Sequence, residues 1–378
     1  MDFSLTEEQV AIYETAQAFG ADNIAPHART WEQDGTIPKT LWTEIAALGF
    51  GGLNVREASG GAELTRLDAT LVFEALSESC ASVAAFLSIH NMCARMLDLH
   101  ATPEVKERLL PKALTMECIL SYCLTEPSSG SDAAALKTKA NRTNEGWALT
   151  GTKAFISGGG YSDAYIVMAR TGDDTPAGIS ALLVEDGAPG LSFGGLEDKM
   201  GWRSQPTRQV QLDECAVPAE NLLGKEGDGF KYAMAGLDGG RLNIAACSIG
   251  AAQFALTAAT AYVKERKAFG RTLDQFQALQ FKLAECEIEL QAARTFLRHA
   301  AWANDTGQPD ATKRSAMAKA FVTEAASRVA DTCLQLHGGY GYLADYGIEK
   351  IVRDLRVHRI LEGTNEIMRL IVARDLLK

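Results

Sequence analysis

Two changes of texture along the chain restrict its fold more than any other feature. Residues 7–19, 41–48, 67–76 and 82–99 form apolar-rich segments of helical character, separated by Gly51-Gly52 and Gly60-Gly61, with Pro103 and Pro111 near helix starts or breaks. From about Ser121 the pattern becomes short β-prone runs between turn residues, at 147–156, 164–170, 179–185, 191–193 and 209–212. After Gly224, Gly227 and Gly229 the helical pattern returns and persists to the end. A chain of 378 residues also exceeds what one hydrophobic core usually organises. The order predicts an α+β multidomain protein: an N-terminal helical domain over 1–120, a middle antiparallel β domain over 121–226, and a C-terminal helical bundle over 227–378.

The clearest periodicity runs Phe276, Leu279, Leu283, Cys286, Leu290, Ala293, Leu297, in alternating steps of three and four residues. Such a stripe faces a helical partner, and it predicts bundle core rather than chemistry. Residues 242–263 carry no Asp, Glu, Lys or Arg and are long enough to cross a bilayer. Asn243, Ser248, Gln253, Thr257, Thr260 and many alanines make the stretch too weakly hydrophobic for that, so it reads as a buried bundle helix.

A formal charge of −11 disfavours long-range attraction to nucleic acid or an anionic membrane, and neither is expected as a partner. A few local Arg, Ser and backbone N–H groups could still hold a phosphate-bearing ligand. Eight cysteines are scattered without a Cys-x-x-Cys pair, and no secretory leader is read at Met1-Asp2-Phe3-Ser4. That pattern implies reduced, mostly buried thiols in a cytoplasmic protein, or in the mitochondrial matrix if a transit peptide has been removed. The six histidines show no His-Glu-x-x-His spacing, and no metal site is expected.

Candidate chemistry sits at or beyond the joins between the three textures, where inter-domain clefts favour ligands. Residues 122–132 form a turn rich in hydroxyls and N–H groups around Pro127, Gly130 and Ser131, able to bind the carbonyls of a flat heterocycle or a phosphate, or else to be a solvated loop. A second polar-glycine turn, Phe155-Ile156-Ser157-Gly158-Gly159-Gly160, could set an aromatic against a ring system. Glu362 precedes Gly363-Thr364 after a segment bearing Arg353, Arg356, His358 and Arg359; it could be a general base or a salt-bridged surface group. Arg241, Arg266 and Arg374 lie in helical context, where a lone arginine is as readily an ion pair as a ligand contact. Gln335-Leu336-His337-Gly338-Gly339-Tyr340-Gly341-Tyr342 permits close backbone approach to a ligand or another subunit, or ends a helix.

Taken together, Leu5-Thr6-Glu7-Glu8-Gln9, Leu124-Thr125-Glu126-Pro127-Ser128-Ser129-Gly130-Ser131-Asp132, the Gln335–Tyr342 turn and Leu361-Glu362-Gly363-Thr364-Asn365-Glu366 resemble the acyl-CoA dehydrogenase family, in order and over nearly the whole chain. Ser88-Ile89-His90-Asn91-Met92-Cys93-Ala94, Gly201-Trp202-Arg203-Ser204-Gln205-Pro206-Thr207-Arg208 and Gly239-Gly240-Arg241-Leu242-Asn243-Ile244-Ala245 are most similar to its isobutyryl branch. Ser128 stands where many members have Gly, Phe155 where many have Trp, and Leu361 where many have Tyr; the last two also fit the isobutyryl branch.

The resemblance implies a helical domain, a β-barrel-like domain and a four-helix bundle, assembled as a homotetramer with FAD between subunits. It implies that Tyr122, Cys123, Leu124, Thr125, Gly130, Ser131, Phe155, Ile156 and Ser157 embrace the isoalloxazine ring. Arg266 would meet the pyrophosphate of a neighbouring subunit's FAD, helped by Phe276, Gln277, Gln335, Gly338 and Gly339, while Thr364 and Glu366 complete the flavin site. Phe276 would then serve both the stripe and the cofactor. Ser131, Asp238, Arg241 and Arg374 correspond to contacts with the CoA moiety, and Glu362 to the catalytic base. The implied reaction is dehydrogenation of isobutyryl-CoA to methacrylyl-CoA in valine breakdown, with an electron-transfer flavoprotein as acceptor. The alternatives are 2-methylbutyryl-CoA or butyryl-CoA as substrate, a flavin oxidase that uses oxygen directly, and, from a different class, a non-catalytic acyl-CoA-binding or assembly protein.

Overall fold

The structure, a computed structural model, describes residues 4–378. The N-terminal helices are α1 (Glu7–Phe19), α2 (Ala28–Asp34), α3 (Lys39–Ala47), α4 (Arg66–Ser79), α5 (Ala81–His100) and α6 (Pro103–Leu114). Helices α1 and α4 begin at reciprocal caps, Thr6 with Gln9 and Thr65 with Asp68, which satisfy otherwise orphaned N–H groups. Pro103 starts α6, as expected of a residue whose missing N–H falls in the first turn. Pro111 lies within α6 and does not end it, because the hydrogen bond it removes belongs to the last turn.

Eight strands follow: β1 (Leu120–Cys123), β2 (Lys139–Arg142), β3 (Gly146–Ser157), β4 (Ala164–Arg170), β5 (Ile179–Glu185), β6 (Leu191–Phe193), β7 (Thr207–Pro218) and β8 (Leu222–Leu223). Their order is β6-β7-β3-β2-β4-β5-β8, with β1 beside β4. Most pairings are antiparallel, but β1 runs parallel to β4, and β2 meets β4 in parallel at Lys139 and Arg170. The chain enters β1 from α6 rather than through a hairpin, so nothing forces an antiparallel neighbour. Strand β4 is buried on both faces: Ala164, Ile166 and Met168 pack against the helices, while Tyr165, Val167 and Ala169 fill the interior of the sheet.

The chain closes with α7 (Gly229–Glu265), a minimal hairpin β9 (Lys267–Ala268) and β10 (Arg271–Thr272), α8 (Gln277–Asp305), α9 (Ala311–His337), α10 (Ile348–His358) and α11 (Asn365–Leu376). Among the described residues α7 is the one helix long and apolar enough to cross a membrane; here it is sheathed by α4, α5, α8 and α9 and forms the bundle core. The α8 stripe is buried at Cys286, Leu290, Ala293 and Leu297 but only partly at Leu279 and Leu283, and Phe276 precedes the helix as its cap. All eight cysteines are buried and unpaired.

Candidate active site

Glu362 occupies a tight turn between α10 and α11. Its φ is +55°, followed by +87° at Gly363. A non-glycine residue in the left-handed region is uncommon and marks a position held by its surroundings. Those surroundings engage the turn's backbone and spare the carboxylate. Arg241 Nε donates to the Glu362 carbonyl at 3.3 Å, Lys319 Nζ donates to the Gly363 carbonyl at 2.8 Å and to Asn365 Oδ1 at 3.0 Å, and Asn365 N–H donates to the Arg359 carbonyl. Arg241 is itself fixed by Asp238 at 2.6 Å, and Asp238 accepts from Thr312. The end of α10 is set by the β domain: Trp202 donates its N–H to Asp354 at 2.6 Å and its indole N–H to His358 at 3.2 Å.

The Glu362 carboxyl therefore points away from its own turn and rests on α7. A Cβ added to Gly240 would lie 2.5 Å from Oε2, so only glycine leaves room for it. Oε2 is buried with no hydrogen-bond partner among the described residues. Burial raises the carboxyl to about 7, against the opposing pull of Arg241 and Lys319. Burial also pushes Lys319 down to about 8.

Gly240 belongs to a stripe along α7. Gly236, Gly239, Gly240 and Asn243 recur at i, i+3, i+4 and i+7 and so share one face. A side chain would meet Met92 at Gly236, the Arg66 guanidinium at Gly239 and Glu362 at Gly240, while Asn243 donates to Ser88 Oγ. Each mid-helix glycine costs about 1 kcal/mol relative to alanine; three on one face keep a groove where α4, α5 and the base converge. Ile89, Tyr122 and Leu237, only partly buried, pack against the core cluster that includes Met92, Cys93 and Met96.

The hydroxyl-rich loop after β1 is pinned by a buried ion pair. Glu126 accepts from the N–H groups of Lys137 at 2.6 Å and Thr138 at 2.9 Å and from Lys153 Nζ at 2.8 Å, and Lys153 also reaches the Leu124 carbonyl at 3.2 Å. Burial alone would push Glu126 up; Lys153 and the other donors hold its carboxyl below the usual range. The Thr125 carbonyl accepts from Ala154 N–H at 2.8 Å, tying the loop to β3. With these anchors in place, Pro127, Ser128, Gly130, Ser131 and Asp132 stand exposed.

On the same strand, a register shift between Lys153 and Ile156 sends Lys153 inward and Phe155 outward. Phe155 is 68% exposed at φ +58°, an aromatic in a strained backbone with nothing covering it. An exposed ring beside an open polar turn suits the face and edge of a flat heterocycle. Cys123 and Ile156 are buried in the sheet, and the Ser157 carbonyl accepts from Ser121 Oγ at 2.5 Å. Thr364 Oγ1 caps α11 by accepting from Ile367 N–H, and Glu366 is exposed in the first turn of that helix.

A second group lies at the other end of the bundle. Arg266 caps α7 and sits over the Tyr340 ring at 5.1 Å. Together with Gln335, Gly338 and Gly339 it lines a cleft of 510 Å³. Phe276 and Gln277 begin α8 nearby, with Arg271 over the Phe276 ring at 3.9 Å. From Gly240 to Arg266, 26 residues of α7 at about 1.5 Å each separate the two groups by about 39 Å. One chain thus brings Glu362, Asp238 and Arg241 together, apart from the Arg266 cleft, and holds the 122–131 loop beside Phe155. Ser131 and Arg374 are exposed.

Sequence reasoning gave no role to Lys153, Gly240, Lys319 or Asn365. A lysine in an otherwise β-prone run, another flanked by Ala316, Ala318 and Val322, and paired glycines in mid-helix were the available signals.

Comparison with known proteins agrees with this geometry. Residues 6–117, 121–215 and 227–377 match the models of the acyl-CoA dehydrogenase N-terminal, middle and C-terminal domains. The chain belongs to the acyl-CoA dehydrogenase family and is an FAD-dependent oxidoreductase with acyl-CoA dehydrogenase activity. It is 51% identical to the mitochondrial isobutyryl-CoA dehydrogenase of Dictyostelium discoideum, over 99% of this chain and 90% of that protein. Among solved structures it matches butyryl-CoA dehydrogenase from Megasphaera elsdenii at 37% identity and a TM-score of 0.96, over 100% of both chains. It also matches a chain from the structure of the electron transferring flavoprotein of Acidaminococcus fermentans at 39% identity and a TM-score of 0.97, over 100% of both chains.

Proposed function

We propose that the chain dehydrogenates isobutyryl-CoA to methacrylyl-CoA in valine breakdown, with Glu362 as the base and an electron-transfer flavoprotein as acceptor. The observation that carries the assignment of the base is the Glu362 carboxyl, raised to about 7 by burial, unpartnered at Oε2 and aimed at the glycine face of α7. A base tuned near neutrality is matched to a carbon acid and is still ionised in a substantial fraction of molecules at neutral pH. Glu362 removes the proton α to the thioester. Charge then builds on the thioester oxygen, and the Glu362 N–H, unpartnered among the described residues, is the available donor for it. Bound FAD supplies the acceptor for the hydride leaving the β carbon. Asp238 and Arg241 fix the turn that carries the base and, with Ser131 and Arg374, are positioned by the family resemblance to meet the CoA moiety.

Phe155 and the 122–131 loop would hold the flavin ring, with Thr125 and Ser157 at its polar edge and Thr364 and Glu366 bordering it. The Arg266 cleft, with Phe276, Gln277, Gln335, Gly338 and Gly339, would hold the pyrophosphate of FAD bound to another copy. The separation of about 39 Å along α7 between the seat of the base and Arg266 supports this division. A homotetramer of the kind the family resemblance implies places the two halves together. The partly open start of the α8 stripe fits the same assembly. The cytoplasm or the mitochondrial matrix is the proposed setting; the Dictyostelium relative is named as mitochondrial, and the other similar proteins cited are from Megasphaera and Acidaminococcus.

The test is an anaerobic titration of the yellow holoenzyme with isobutyryl-CoA, 2-methylbutyryl-CoA and butyryl-CoA, following flavin absorbance and then adding an acceptor. Fastest bleaching by isobutyryl-CoA is expected. Preference for butyryl-CoA, the substrate named for the Megasphaera protein, would move the assignment to the straight-chain branch, because one methylene is worth only about 1–3 kcal/mol of discrimination.

A further inference from the structure

Tyr122 enters the flavin loop through its backbone, but its side chain belongs to the other side of β1. Alternation along the strand turns Ser121 and Cys123 toward the sheet, where Ser121 Oγ bonds the Ser157 carbonyl and Ser162 and Cys123 joins the sheet core. Tyr122 turns instead toward α5, packing against the cluster that includes Met92, Cys93 and Met96, with Glu362 and Cys93 among the groups around its hydroxyl. Its ring is only partly buried, yet its hydroxyl is buried and without a hydrogen-bond partner among the described residues. A buried phenol ordinarily has a partner, and one left unmade is costly.

The carboxylate on that side has the complementary deficit: Glu362 Oε2 is also buried and unpartnered. One group can donate and the other can accept. The charged and titratable groups facing Glu362 are Arg241 from α7, Lys319 from α9, Cys93 from α5 and Tyr122 from β1, with Glu324 and Glu366 behind Lys319. Arg241 bonds the Glu362 carbonyl and Asp238, Lys319 bonds the Gly363 carbonyl and Asn365, and neither forms a salt bridge with the Glu362 carboxylate among the described residues. Cys93 is a fully buried thiol and a weak donor. Asn243 Oδ1, on the same face of α7, is a competing acceptor for the phenol, being unpartnered as well.

We propose that the Tyr122 hydroxyl is the hydrogen-bond donor that positions and tunes the Glu362 carboxylate in the resting site, through one bridging water. Tyr122 is thus a positioning residue acting through the base. Donation stabilises the ionised carboxylate, so removing it must shift the base toward protonation and move the acid limb of the rate profile to higher pH.

The inference rests on Glu362 being the base, and the experiment separates the two. Tyr122→Phe removes one oxygen and keeps the ring that packs against the helix-side core. In the holoenzyme the expected result is wild-type FAD content and thermal stability, with the acid limb of kcat/KM for isobutyryl-CoA raised by about one pH unit. The profile of kcat/KM reports the free enzyme, which is the state at issue. An activity-independent readout is the infrared carboxyl band that disappears in Glu362→Gln; it should titrate correspondingly higher in Tyr122→Phe. If both the limb and the band stay in place while Glu362→Gln is inactive, the phenol is bonded elsewhere, as to Asn243, and the proposal falls. If Glu362→Gln keeps near-normal activity, the base assignment falls first.

Discussion

Gly240→Ala should separate catalysis from stability in one substitution. The added Cβ would sit 2.5 Å from Glu362 Oε2, and an ordinary contact begins at 3.4 Å, so the carboxyl must retreat by about 0.9 Å. Displacements of about 1 Å from productive geometry can cost about 10²-fold in rate. The helix itself gains, because alanine is favoured over glycine in a helix interior by about 1 kcal/mol. That gain offsets part of the local strain, and the yielding group is the end of a side chain rather than backbone. The expected variant is therefore yellow, melts within a few degrees of the parent, and loses about two orders of magnitude in kcat/KM. Circular-dichroism melting, flavin content and steady-state turnover on the same preparation measure all three. Retention of activity within about threefold of wild type would refute the claim that Gly240 makes the seat of the carboxyl.

Four further outcomes follow from the same geometry. Turnover should rise with pH through about 7 as Glu362 ionises, and Glu362→Gln should bind FAD and thioester yet dehydrogenate poorly, which a pH–rate profile and rapid-scan bleaching check. Because the folded protein holds that carboxyl above its ordinary value near 4.5, burying its charge costs about 3 kcal/mol above pH 7 and nothing below the ordinary value. Glu362→Gln should accordingly be more stable than the parent at pH 8, with the difference fading as pH falls through 7 toward 4.5, measured by urea denaturation. Lys153→Met strands a buried Glu126 carboxylate and should cost about 3–5 kcal/mol and loosen FAD, whereas adding Glu126→Gln restores part of the stability; equal stability of the single and double variants would sink the ion-pair account. Phe155→Ala should leave the flavin-free fold unaltered, since the ring is 68% exposed, but weaken FAD retention in dilution experiments.

Much of this was legible in the residues. Apolar-rich helical texture marked α1 to within its ends, and β-prone runs between turn residues marked β4, β5 and β6, because β-branched and aliphatic residues suit a buried strand and turn residues bound it. Strand β1 was harder to see: four residues between a helix and a polar turn carry little periodicity, and its parallel pairing with β4 depends on a segment more than 40 residues away. The sequence also singled out Glu362, by its place before Gly363-Thr364 and by family likeness.

Why that carboxyl suits a base was settled elsewhere. Its raised proton affinity comes from burial, its room from Gly240, and its fixed turn from Arg241 and Lys319, groups brought from 121 and 43 positions away only by packing α7 and α9 against the α10–α11 turn. Tyr122 shows the same division, since its motif marks a flavin loop while the packing of β1 on α5 buries its phenol hydroxyl on the helix side without a partner among the described residues. Local sequence fixes the period of an element and thus which residues share a face. Proton affinity and hydrogen-bond need depend on solvent exclusion and distance, and only the assembled tertiary structure sets those.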